Sequence, residues 1–159
     1  MNRIYACLAF CLISSAVTFA KDYSYRGGRD KSTGLTKVGE NGKYGFINDF
    51  GDIVVPVIYD DINDDGFGDG FRPAVVRVGD KYGLIASDGR KITELKYDAL
   101  LSFGQNNNLA PFYVITDNGI KSGYLDLKGN VAIPERYTIG RLPKLVRQSR
   151  LYRMRQENQ

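Results

Sequence analysis

One unit occurs three times in this chain, and that repetition limits its fold more than any other feature. The copies read KYGFINDFGDIVVPVIYDDI from Lys43, KYGLIASDGRKITELKYDAL from Lys81 and KSGYLDLKGNVAIPERYTIG from Lys121. Their first glycines are Gly45, Gly83 and Gly123, spaced 38 and 40 residues apart. A second glycine follows six residues later in each (Gly51, Gly89, Gly129), and a tyrosine eight after that (Tyr59, Tyr97, Tyr137). Pro56 and Pro134 lie five residues after the second glycine, where the middle copy has Glu94. A period of this length marks a stack of small supersecondary units, none of which can bury its own apolar face alone.

Each unit has the pattern of strands. A β-branched or aromatic run leads in (LTKV at 35–38, AVVRV at 74–78, FYVIT at 112–116). The aromatic-glycine strand, a turn closing on glycine and a second apolar run follow. Gly79-Asp80 between two such runs is a two-residue hairpin signal, and Gly51, Gly89 and Gly129 suit positive φ where the second hairpin closes. Helical periodicity is absent from 35–137. The expectation is an all-β fold of three tandem three-stranded antiparallel meanders sharing one core, with a β-trefoil as the alternative. The repeated tyrosines are expected to pack against the next unit; a ligand-stacking row is the sharper reading.

The unit resembles the WG repeat, a bacterial family named for a Trp-Gly pair. Here the tryptophan is replaced by Tyr44, Tyr82 and Ser122, and the third copy is the weakest match. The resemblance spans about residues 35–140. It implies a β-rich repeat domain, common in exported bacterial proteins and taken as a protein-interaction module, with no catalytic residue to carry over.

The ends differ from the body. Residues 1–20, MNRIYACLAFCLISSAVTFA, have Arg3, a short apolar run and small residues before Lys21, which reads as a signal peptide rather than a membrane span. This implies an exported protein, periplasmic or secreted. Residues 21–34 are polar and glycine-rich and read as a flexible linker. The repeat domain then covers 35–140, in units of about 35–72, 73–110 and 111–140. The tail 141–159 holds six Lys/Arg and one Glu, while 21–140 hold 15 Lys/Arg against 17 Asp/Glu. The basic character therefore belongs to the tail, read as a short helix or an extended tail covering the last repeat. Its sharper reading is a contact for an acidic partner or an anionic membrane surface. A mildly acidic body argues against nucleic acid as the partner.

The chain has no histidine, and its two cysteines, Cys7 and Cys11, lie in the leader. Ser-His-Asp, Cys-His and His/Cys zinc chemistry are thereby excluded from the body. No pair among Glu40, Glu94, Glu135 and Glu157 recommends itself as a glycosidase couple, so no enzyme is expected. Oxygen ligands remain. Asp61, Asn63, Asp65, Gly66 and Asp69 fall on positions 1, 3, 5, 6 and 9 of a calcium loop, with the Phe67 carbonyl at 7. Arg72 occupies the twelfth position, where a helical site needs glutamate, so a calcium site here is of the strand-flanked kind. Its expected affinity is roughly 10⁻⁴–10⁻³ M. Only Asp60 of this neighbourhood recurs, as Asp98; the other acids lie in the connector after copy one, where Asp, Asn and Gly are ordinary loop composition. Two functions follow: an exported interaction module, with an immunity or inhibitor protein as a variant, or a calcium-binding structural or adhesive domain.

Overall fold

Asn41 and Gly42 both take positive φ (51° and 71°), the conformation that closes a two-residue hairpin with the twist its strands need. They join β2 (Thr36–Glu40) to β3 (Lys43–Ile47); Gly79-Asp80, in which Gly79 takes the positive φ (58°), joins β6 (Ala74–Val78) to β7 (Lys81–Ile85). The computed structural model describes residues 21–63, 65–68, 71–104, 107–116 and 119–138. Residues 1–20, read above as a signal peptide, Asp69 and residues 141–159 lie outside these.

Within the described residues the chain is all-β, in three antiparallel sheets of three to four strands. The first runs β1 (Tyr25–Arg29), β2, β3, β4 (Ile53–Tyr59). The second runs β5 (Asp61–Ile62), β6, β7. Its third-strand segment is joined by isolated bridges from Tyr82 to Tyr97 and from Ile85 to Lys91, and by the N–H groups of Ile92 and Thr93, which donate to the Leu84 carbonyl. The third sheet contains β8 (Ala99–Leu100), β9 (Ala110–Thr116), β10 (Gly119–Leu125) and β11 (Val131–Thr138). The expected meanders are present, and each gains a leading strand. The residues just after Tyr59-Asp60 and Tyr97-Asp98 cross over and pair with the next sheet, Asp61 opposite Arg77 and Ala99 opposite Tyr113. Each sheet after the first is thus begun by the tail of the unit before it.

Residues 21–34 correct one expectation. They are not a linker throughout, because β1 supplies the leading strand of the first sheet, with Tyr25 opposite Gly39 and Arg26 opposite Val38. Edge pairing uses backbone groups, so YRGGR needs no apolar alternation to make it. An Asp30 turn follows, in which one carboxylate oxygen accepts the N–H groups of Ser32 and Thr33.

The core is layered rather than single. Phe46, Val55 and Tyr59 of the first sheet meet Ala74, Val76 and Ile85 of the second. Val75, Leu84 and Tyr97 meet Ala110, Phe112 and Leu125 of the third. Successive strand residues point to opposite faces, so β6 and β7 serve both layers, and the unbroken run AVV at 74–76 is buried on both sides. Neither layer joins the first sheet to the third; the described units form an open series instead of the three-fold closure of a trefoil.

The two glycines of the unit have different tasks. A Cβ on Gly45 would lie 2.4 Å from the Val55 carbonyl oxygen, and one on Gly123 would lie 2.6 Å from that of Ile133. The third strand bulges across this point, its register moving from Tyr44–Tyr59 to Phe46–Val55, and only a bare Cα lets it pass. The second glycine holds positive φ (89°, 84° and 80° at Gly51, Gly89 and Gly129), and at the inner turns it also touches the unit before. A Cβ on Gly89 would lie 2.2 Å from the Val54 carbonyl, while one on Gly51 would meet nothing within 4 Å. Gly51→Ala is therefore expected to cost the left-handed strain alone, about 1–2 kcal/mol. Gly89→Ala should cost about 1–3 kcal/mol more from overpacking. Urea unfolding of both variants measures the difference; equal costs would refute the close approach.

Candidate functional site

The aspartate of the Tyr-Asp pair is where one sheet hands the chain to the next. Asp60 accepts the Lys43 ammonium on Oδ1 at 2.5 Å and the Gly79 N–H on Oδ2 at 2.8 Å. Asp98 repeats this with Lys81 at 2.8 Å and the Ile115 N–H at 2.8 Å. Lysine and aspartate stand 17 residues apart in both copies, across the third strand of their own unit, while the N–H belongs to the following sheet. The backbone N–H groups of Asp60 and Asp98 donate to Arg77 and Tyr113, so pairing with the new sheet begins at the aspartate itself. Seventeen residues after Lys121 stands Thr138, which has no carboxylate.

The Lys43 ammonium, and after it the Gly79 N–H, hold the Asp60 carboxyl below its ordinary range. A carboxyl lowered in the folded state adds stability that is fully present above about pH 4 and is lost as pH falls through the lowered value. The stability gap between the natural protein and Asp60→Asn should accordingly be open at pH 7 and narrow well below pH 4. Asp98 is 2 % exposed. Asp98→Ala should cost about 1–3 kcal/mol, more than Asp60→Ala, whose site is wetter. Urea midpoints at two pH values check both statements.

Beyond Asp60 the connector folds into a plug. Asn63 continues the pairing of β5: its N–H donates to the Val75 carbonyl, and its Oδ1 accepts the Val75 N–H at 2.9 Å. Its Nδ2 donates to Ser102 Oγ at 3.0 Å, tying the first connector to the second. Gly66 and Gly68 take positive φ (53° and 58°), which turns the chain back and inserts Phe67 into the first layer. There it is 1 % exposed, with its ring centroid 5.0 Å from that of Phe46.

Of the sequence-predicted calcium ligands, Asp61, Asn63, Asp65 and Phe67 lie on this one connector, and Asp69 is outside the described residues. Asp61 and Asp65 are exposed. The Asn63 oxygen is engaged by Val75, and the Phe67 ring is core. Among the described residues no three His, Cys, Asp or Glu side chains group closely enough to hold a metal ion. The tyrosine set is core where described: Tyr59 and Tyr97 are buried in successive layers, burial pushes both hydroxyls above their ordinary range, and the Tyr97 ring packs 4.8 Å from Phe112. The Tyr137 side chain is outside what is described.

The connectors and leading strands shape one side of the stack. A cleft of about 260 Å³ there is lined by Arg29, Asp30, Lys37, Asn63 and Asp65. Two more, of about 190 and 240 Å³, open beside it and meet at Asn63 and Ser102. Arg72 and Arg77 stand in these beside Asp65 and Asp61, so the surface is polar and of mixed sign. It presents donors and acceptors of both signs. Periodicity does not reveal Asn63 or Phe67, because neither recurs; the Lys-Asp spacing of 17, repeated twice, was the available signal for the staple.

The family model described as WG containing repeat matches residues 44–82 and 82–114. Each match begins on the tyrosine of an aromatic-glycine pair, and the third copy lies beyond both. No curated protein and no solved structure matches the chain.

Proposed function

We propose that this chain, which belongs to the WG containing repeat family through residues 44–114, is an exported, non-enzymatic protein-interaction module of the bacterial envelope. The observation that carries this reading is the Asn63–Ser102 tie. It makes the connectors of two successive units a single surface, which the two aspartates hold in place before any partner arrives. A preorganised surface loses little freedom on binding. The leader-like residues 1–20 support export, and the absence of histidine and of any cysteine after Cys11 supports a binding role over catalysis. The partner is another protein rather than a nucleic acid. An immunity or inhibitor protein, blocking one enzyme, is the narrower form of the proposal. The basic tail 141–159 adds a contact for an anionic membrane surface.

Affinity capture from envelope extract tests the reading. A single stoichiometric partner is expected. The double variant Asp65→Lys, Arg72→Glu should weaken its capture about ten-fold or more with the fold retained by circular dichroism. Unchanged capture would remove the connector surface from the proposal.

The second reading is calcium bound by Asp61, Asn63, Asp65, Phe67 and Asp69, favoured by the positive φ of Gly66, which supplies the bend such a loop needs. Under it, millimolar calcium raises the thermal midpoint relative to chelator, and Asp65→Ala abolishes the rise. No shift at a saturating concentration excludes it.

A further inference from the structure

Both seams of the stack are closed by one repeated contact. Gly89 rests on Val54, and a Cβ on Gly129 would lie 2.7 Å from the methyls of Ile92 and Thr93. In each case the turn glycine of one unit meets the third residue after the turn glycine of the unit before: Val54 after Gly51, Ile92 after Gly89. The series leaves two open ends. Gly51 has nothing within 4 Å of its would-be Cβ. Ala132, three residues after Gly129, is exposed, where Val54 and Ile92 are partly covered.

Among the described residues, four of the seven exposed large apolar side chains lie at these same two places; Tyr25, Ile58 and Phe71 lie elsewhere. Phe50 (88 % exposed) and Ile53 (55 %) flank Gly51, and Val131 (51 %) and Ile133 (37 %) flank Ala132. The inner turns have Asp88 and Lys128 at the position of Phe50, so that ring is peculiar to the end of the series. A stacked repeat with an uncovered end exposes apolar surface that an adjacent unit would otherwise bury.

We propose that the turn at residues 49–53 of one molecule docks on β11 of a second copy, through the contact that already joins one unit to the next. Gly51 then rests on Ala132, and Phe50 and Ile53 are covered against Val131 and Ile133. The two patches differ, so the contact is head-to-tail and leaves a free patch at each end of every assembly.

Light scattering of the purified protein at rising concentration tests this. The natural protein should increase in mass without a fixed limit. Phe50→Asp, which copies Asp88, and Ala132→Glu each alter one exposed patch. Each should weaken self-association about ten-fold or more while leaving circular dichroism unchanged. Mixed together, the two variants retain one intact patch of each kind and should form pairs and nothing larger. A natural protein that stays monomeric, or a mixture that forms no pairs, overturns the proposal. So does association that begins only after residues 141–159 are removed, which would assign the β11 patch to the tail.

Discussion

Asp60 and Asp98 each stand with one oxygen in the sheet the chain is leaving and the other in the sheet it is entering. A crossover between layers threatens to strand backbone polar groups away from water. The carboxylate removes that cost by accepting an N–H of the receiving sheet, while lysine from another strand of the departing sheet balances its charge. The leading strands β5 and β8 follow at once, so every later feature of the connector inherits its position from this one residue. Remove the staple and Asn63, Ser102 and Phe67 lose the register that brings them together.

Layer spacing is governed by bare Cα atoms. Gly45 and Gly123 admit the bulged third strand within their own sheets, and Gly89 and Gly129 admit the neighbouring sheet. The middle sheet is covered on both faces as a result, and each outer sheet leans on it. Stability in such a series is a sum of unit and seam contributions. The same contact that orders the interior thus leaves complementary patches at its two ends.

Some of this was legible in the residues. The period, the positive-φ turn glycines and the strand class follow from spacing and turn chemistry, because those signals are local and recur. The leading strands were not legible: Asp61–Ile62 and Ala99–Leu100 are two residues long, too short for alternation to register. Tyr25–Arg29 was hidden for a related reason, since an edge strand is held by backbone pairing and its side chains need show no pattern. The connector was legible only in part. Its oxygen spacing shows in the residues, whereas the hold of the Asn63 oxygen on the Val75 N–H and the burial of the Phe67 ring do not.

The sequence alone determined that this is a three-copy β chain, and that its repeat region has neither histidine nor thiol. Those are properties of residue identity and short spacing. Only the tertiary structure decided that each unit lends its last residues to the next sheet, that the core divides into separate clusters, two of them between sheets, and that the acidic connector is pinned as a plug. These depend on hydrogen bonds and close contacts between residues 12 to 39 positions apart, whose partners are chosen by the packing of whole sheets and not by any local pattern.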